Sequence, residues 1–587
     1  MNIIFVGHSH HQKTGSSRFF ISFLETLGEV SFLWDEEWIN PSKRLDLLNL
    51  GSFDLIVVWQ IPSIARRVPK DLFSRTVYVP MYDAVSKIGA RFWRKIRGMR
   101  VISFSHAIHI ECLNNKVQSI HIQYYPQAHT QPPNFSKLSL FFWQRQSIPN
   151  WRTISVDVPT TQFDRIHLHS AVDPGNGKFI EPTESDLRIL NIQQSSWFED
   201  FNAYLAALAS ANVFIAPRLE EGIGMALLEA MQRGMVCIAN NAPTMNEYIV
   251  HGMNGYLTPT PYDAPVIIER NQQISIRTLQ SVESGHRRYL KQLEAIRSFM
   301  LAPAGPRFRK ILTPAKNKLA TGLPRAQLRR ILSSADHVNR HHTECKLTIV
   351  TVVRNDVQGL IKTLASVASQ SCQDFEYLII DGKSTDQTAS ILKGVPEKFA
   401  KIVSEADSGP YDAMNKGARV AQGEFVLYLN AGDTLYCNQT VEFLLDDMPP
   451  GVDIIYGHHV YHPQDGSSQL NLAKWLPETF KSLEVGNVSY TWLSGIPCHQ
   501  STITRRKCLI DRPYDLQFRI AADHDFLFDQ VKGSAKTHHH NTVIANYYGG
   551  GLSSKHISQC VHEWKKIALK HTKEPNLVSR FYDEGKF

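Results

Sequence analysis

At 587 residues the chain is too long for one hydrophobic core, so two or three domains are expected. Hydrophobic residues at 43% and charged residues at 20% fit soluble globular domains and exclude a chain dominated by disorder. The net charge of +8 is modest for this length, and the eight cysteines form no CxxC pair, which excludes a disulfide framework and a cysteine zinc site and points to free thiols in a reducing compartment.

The start, MNIIFVGHSHH, has too short an apolar run for a signal peptide and reads as a first strand. No stretch approaches the roughly 20 apolar residues needed to span a bilayer. A cytoplasmic protein is expected, peripheral at most to the cytoplasmic face of the inner membrane. Strand-like runs at 2–6, 55–59, 76–79 and 101–104 alternate with helical ones such as 18–27, predicting a parallel sheet covered by helices. The loop GHSHHQKTGSSR brings Gly7 and Gly15 close to any ligand. Its histidines lack a carboxylate at a defined spacing and read as solvated.

A second alternating block runs from about Ile154 to Leu257 and contains ANVFIAPRLEEGIGMALLEAMQRGMVCIANNAPTMNEYIVHGMNGYL. The strand at 213–216 leads through a turn with Glu221, Gly222 and Gly224 into a helix at 225–233, whose N-terminal amides suit a diphosphate. Glu221 lies at the helix start and Glu229 two turns along, where carboxylates can accept hydrogen bonds from sugar or ribose hydroxyls. A capped helix with exposed glutamates is the plain alternative. The whole string resembles the family-4 glycosyltransferases of the GT-B fold. That resemblance implies Glu221 at the donor hexose, Glu229 at the ribose, retention of anomeric configuration and no metal in this part of the chain. The family's Arg and Lys diphosphate clamp has no counterpart in RTISVDVPTTQFDRIHLHSAVDPGNGK, and Arg218 is the substitute.

Residues 284–340 carry thirteen Lys and Arg against Glu294 and Asp336, with prolines breaking helical periodicity. They read as short basic amphipathic helices, lying either on anionic lipid or as a solvated linker. No aromatic platform or helix-turn-helix pattern accompanies them, so no nucleic-acid partner is expected.

From Lys346 a new α/β domain begins with KLTIVTVVRND, followed by a helix at 359–369 and FEYLIIDGKSTDQT. Polar groups at successive strand ends line one crevice, as in nucleotide pockets. The run SEADSGPYDAMNKGARVAQGEFVLYLNAGD then places Asp433 at the end of the strand at 425–429, where a carboxylate can hold a divalent cation. With CHQ and AADHDF in order, 346–546 resembles the family-2 glycosyltransferases of the GT-A fold. The resemblance implies Asn355, Asp356, Asp381 and Ser384 around base and ribose, and Asp407, Asp412, Asn415 and Lys416 bordering donor and acceptor. It implies Asp433 on Mg²⁺ or Mn²⁺, with Asn430 where another carboxylate often stands, and Asp523 as the base of an inverting transfer. Asp525 is the alternative base if its segment is extended, since both side chains would then face one way.

The expected α/β architecture is a GT-B domain of two Rossmann-like halves (1–275), a basic helical linker (276–345) and a GT-A domain (346–587). The expected function is a bifunctional, two-site glycosyltransferase. It would use nucleotide-sugar donors and a growing, lipid-linked bacterial glycan of O-antigen or capsule type. Alternatives are a catalytic C-terminal domain with an N-terminal glycan-binding or docking scaffold, and a nonenzymatic nucleotide-sugar sensor.

Overall fold

The computed structural model describes residues 1–37, 43, 45–173, 177–196, 198, 201–258, 265–270, 272–302, 345–492 and 495–585. The chain divides into two compact units, Met1–Thr313 and Pro314–Phe587.

The first unit contains two six-stranded parallel sheets. In space the strands of the first run Glu29–Asp35, Asn2–His8, Leu55–Trp59, Thr76–Val79, Arg100–Ser103, Gln118–His121. Its central strands are apolar throughout, Leu55–Trp59 being buried at every position, because helices cover both faces. The second sheet runs Tyr256–Thr258, Val236–Asn240, Val213–Ile215, Ser139–Trp143, Arg165–His169, Ile192–Ser195. Its chain order reverses between Ser139–Trp143 and Val213–Ile215, which pair in parallel with Val213 beside Leu140. The crevice beyond the carboxyl ends of those two strands is therefore where a ligand is expected. The second block begins at Ser139 rather than at Ile154, which lies inside the helix Trp151–Asp157. An aromatic run, SLFFW, buried at its three central positions, carries no alternation to mark it as a strand.

The stretch read as short linker helices from Ser284 onward is, as far as Leu301, part of a single 29-residue helix, Gln273–Leu301, packed on the first unit. Ser275 Oγ donates to Gly234 O and Thr278 Oγ1 to Asn254 O, while Arg100 Nη1 donates to Ala302 O at 2.6 Å and His286 bonds Tyr125 O at 2.8 Å. The helix thus ties both sheets together. Gly285 has no side chain because a Cβ there would lie 2.4 Å from the Tyr125 ring. The rest of the basic segment, 303–344, lies outside the described residues.

A second tie is Glu247, 3% exposed, whose carboxylate accepts from Ser105 Oγ and His106 N–H, both at 2.7 Å, at the start of the helix His106–Asn114. Burial pushes its carboxyl up to about 7, against the pull of those donors. The folded state therefore holds a proton there that the unfolded chain releases near 4.5, and the Glu247 contribution to stability falls as pH rises from about 4.5 to 7. Glu247→Gln is expected to flatten the pH dependence of melting across that window; an unchanged slope would show that other groups set it.

The second unit is built on a mixed nine-stranded sheet. Lys401–Ser404, Glu376–Asp381, Leu347–Val353 and Phe425–Tyr428 are parallel, in that spatial order, and Thr502–Arg505 joins Phe425–Tyr428 antiparallel. Ile454–His462 and Thr537–Tyr548 continue it: His459 of the first bonds Asn471, and its His462 bonds Asn546 of the second. His539 bonds Ala473 O and His540 bonds Phe443 O, so these two neighbours turn to different partners. Among the described residues no helix is long and apolar enough to cross a membrane.

Candidate active sites in the two units

The crevice of the first unit is charged. Arg145 leaves the end of the strand Ser139–Trp143, its guanidinium 4.8 Å over the Trp143 ring, and Arg218 follows the end of Val213–Ile215. Asp173 accepts from both, from Arg145 Nε at 3.0 Å and from Arg218 Nη2 at 2.5 Å. Arg218 also reaches Asp83 of the first sheet's half at 3.5 Å, and its buried Nε has no hydrogen-bond partner. Glu221, 9% exposed, faces this pair: burial raises its carboxyl, and Arg218 and then Arg145 oppose the rise. Glu229 accepts from Tyr204 Oη–H at 3.1 Å; burial raises it, and the Tyr204 bond, Arg233 and Arg145 pull it back. Glu221 and Glu229 are therefore brought around Arg145, a residue the sequence reading passed over because it lies outside the segment searched for a clamp.

The turn between strand and helix depends on two glycines. Gly224 has φ +78°, and a Cβ on Gly222 would sit 2.8 Å from Met81 Cβ in the other half. The helix itself spans Met225–Met231. His106 and His121 stack with centroids 3.5 Å apart beside Glu247, and the three side chains offer ligand atoms within 4.8 Å of one another.

In the second unit, chain order reverses between Leu347–Val353 and Phe425–Tyr428. Beyond the first of these strands, Asn355 at φ +52° accepts Thr385 N–H at 2.8 Å, and its own N–H donates to Ser384 Oγ. Asp381, 1% exposed, accepts from Ser384 Oγ at 2.5 Å and Ser404 Oγ at 2.6 Å. Asp407 packs over Gly382, where a Cβ would meet Asp407 Oδ2 at 2.2 Å. Asp356 caps the helix Val357–Ala368 through Gly359 N–H at 2.8 Å. Asp412 accepts Ser408 N–H, and Lys416 braces the same loop through Ala406 O, Glu405 and Asp412. Asn415 is turned away, both ends of its amide bonded to the Tyr514 backbone at 2.9 Å.

Beyond the second strand, Asp433 is 5% exposed. It accepts from Gln500 Nε2 at 2.7 Å and from Tyr548 N–H at 3.0 Å. Burial pushes its carboxyl up to about 6, against those two bonds and the nearby His499 and Lys362. A buried carboxylate left short of positive charge fits a hard divalent cation of the Mg²⁺ type, which is held by one or two carboxylates and completed by phosphate and water.

Asp523, 7% exposed, opens the helix Ala522–Lys532. Its Oδ1 is 2.7 Å from Tyr411 Oη and its Oδ2 is 3.1 Å from His499 Nδ1. Burial alone would raise this carboxyl; His524, His499 and Tyr411 together hold it well below the ordinary carboxylate range, so it is a charged acceptor at neutral pH. Asp525 does not share that position. The segment is helical, so residues two apart point to nearly opposite sides, and Asp525 meets Lys570 Nζ at 2.7 Å and His571 Nε2 at 2.9 Å. Glu563, from the same helix Ile557–His571, accepts the N–H groups of Arg519, Ile520 and Ala521 at 2.9–3.0 Å and fixes the loop before Asp523. Nothing in the local sequence pairs Glu563 or His499 with Asp523; only the fold does. A cavity of about 160 Å³ lies alongside, lined by Ser408, Tyr411, Asp412, Phe518 and Ile520 among others.

Comparison with known proteins finds a glycosyltransferase segment in each unit. The family described as Glycosyl transferase family 2 matches residues 348–511, and that described as Glycosyl transferases group 1 matches 188–275. A PGL/p-HBAD biosynthesis glycosyltransferase of Mycobacterium bovis is 31% identical over 218 residues, 35% of this chain and 78% of the relative. An uncharacterized glycosyltransferase of Mycobacterium tuberculosis is 38% identical over 88 residues, 15% of this chain and 34% of that protein. Among solved structures, Anabaena HepE in complex with UDP is 14% identical, covering 51% of this chain and all of its own, with a TM-score of 0.35. Staphylococcus aureus TarS 1–349 in complex with UDP is 17% identical, covering 40% of this chain and 70% of its own, with a TM-score of 0.30. The chain belongs to the glycosyltransferases, with a group 1 segment in its GT-B-type first unit and a family 2 segment in its GT-A-type second.

Proposed function

We propose that the chain is a bifunctional glycosyltransferase, retaining in its first unit and inverting in its second, that adds two sugars to a lipid-linked bacterial surface polysaccharide of O-antigen or capsule type. The observation that carries this reading is that each unit gathers its own charged set where the order of its parallel strands reverses.

In the first unit, Arg145 and Arg218 bind the donor diphosphate, displacing Asp173, with Glu221 at the donor sugar and Glu229 at the ribose. The amide groups at the start of the helix Met225–Met231, beyond Gly222 and Gly224, add to the positive field. Arg145 supplies the clamp whose apparent loss favoured a mere docking scaffold.

In the second unit, Asn355, Asp356, Asp381 and Ser384 border the base and ribose, and Asp407, Asp412 and Lys416 shape the loop between donor and acceptor. Asn415 supports that loop through Tyr514. The acceptor sits against the cavity beside Tyr411 and Asp412. Asp523 takes the proton of the acceptor hydroxyl as its oxygen bonds the anomeric carbon, and the electron pair of the breaking bond leaves with the diphosphate. A divalent Mg²⁺ or Mn²⁺ held by Asp433 supplies positive charge for that leaving group. The basic composition of 303–344 supports a peripheral position on anionic lipid at the cytoplasmic face of the inner membrane.

The test is to incubate the full chain with UDP- and GDP-sugars, Mg²⁺ or Mn²⁺ and lipid-linked acceptors, and to resolve products by mass. Glu221→Ala is expected to remove one sugar and Asp433→Ala the other. Products that survive Glu221→Ala intact would return the first unit to a docking role.

A further inference from the structure

Two neighbouring residues of the turn His499–Ser501 each hold one of the second unit's carboxylates: His499 bonds Asp523 and Gln500 bonds Asp433. His499 has a further contact. Its Nε2 lies 3.0 Å from the amide nitrogen of Asn430, the residue standing where a carboxylate is often found at a family 2 strand end. The Asn430 amide N–H donates to Nε2, which leaves the ring N–H on Nδ1, 3.1 Å from Asp523 Oδ2.

We propose that His499 is the positioning residue of the base Asp523 and that Asn430 fixes its tautomer, so that an N–H always faces the carboxylate. The inference rests on the reading of Asp523 as the base. It gives the asparagine a physical reason: a carboxylate at 430 can only accept, and would draw a proton onto Nε2. The other titratable groups facing Asp523 are Tyr411, whose single hydroxyl proton is shared between Asp523 and Ile520 O, with His524, Tyr514, Cys498 and Cys560. His499 is the one that also reaches the strand end next to Asp433, so it sets the base against the leaving-group side of the site.

The experiment measures kcat and KM against pH for the full chain, read on the sugar that Asp523→Asn abolishes. His499→Leu is expected to lower kcat about 100-fold, the scale of one general-base contribution, to leave the donor KM within about twofold, and to move the acid limb of kcat/KM upward. His499→Asn returns an N–H near the Nδ1 position and is expected to restore most of both. Asn430→Ala is expected to move the limb in the same direction, and its effect to vanish in the His499→Leu background, as coupled residues require. An unchanged kcat and limb in His499→Leu, or His499→Asn as impaired as His499→Leu, overturns the proposal. Should His499→Leu not fold, by its melting curve, Asn430→Ala decides: a limb that does not move overturns it. If Asp523→Asn abolishes no sugar, the base reading itself fails and the positioning role falls with it.

Discussion

Asp523→Asn is expected to cut transfer of the second unit's sugar by about 10²–10⁴-fold, the range removed with a positioned general base, and to lower thermal stability as well, because its new amide N–H faces His499 Nδ1–H. Asparagine has the shape of aspartate, keeps an oxygen for Tyr411 and stays packed in the same 7%-exposed site, but it cannot take a proton. Asp525→Asn is expected to keep that activity and to lose stability. Its carboxylate accepts from Lys570 and is bonded to His571, and weakening those bonds costs about 2 kcal/mol, since Lys570, partly in solvent, keeps Asp529 at 3.0 Å. Side by side, product masses separate the two aspartates: an inactive Asp523→Asn and an active Asp525→Asn are the expected pair. An active Asp523→Asn would remove it from the chemistry.

That contrast also shows which parts of the site could be read from sequence. The run 213–257 was legible because strand, glycine turn and helix follow one another within a few residues, and each glycine has a local cause: φ +78° at Gly224 and the approach of Met81 at Gly222. Asn355, Asp381 and Ser384 were legible for the same reason, as strand-end polar groups that bond one another. What escaped depended on pairing across long stretches of chain. Arg145 acquires meaning only when Ser139–Trp143 is known to lie beside Val213–Ile215. His499 does so only when a turn 69 residues after Asn430 is folded against it. The different surroundings of Asp523 and Asp525 follow from helix against extended chain, and the helix Ile557–His571 that Asp525 faces lies beyond the matched family 2 segment. The long helix Gln273–Leu301 was misjudged because its charge is read as solvent exposure, although Arg288 and Tyr289 are buried against the first unit.

Arg145→Ala is expected to cost the first unit about 10²–10³-fold in transfer, the scale of losing one preorganised group that stabilises developing charge, and to appear as a higher donor KM together with a lower kcat. The reason lies in how Asp173 is shared. With both guanidiniums present, Asp173 is shared between them, and each keeps further N–H groups that a diphosphate can meet. Without Arg145 the remaining Arg218 alone serves Asp173 and Asp83, and fewer N–H groups are left for the diphosphate. Glu221 and Glu229 also lose an opposing charge, so the burial that already raises both carboxyls acts with less resistance. Arg145→Lys keeps the charge but cannot make a bidentate contact, so it is expected to recover only part of the loss. Asp173→Asn works in the opposite direction by freeing both guanidiniums, and is expected to tighten binding of UDP or GDP to the first unit while weakening its response to Arg145→Ala. Calorimetric titration of either nucleotide into the Asp433→Ala chain, whose second site is disabled, reads this directly. Equal affinity in Arg145→Ala, Asp173→Asn and the parent would mean that the donor diphosphate is held elsewhere.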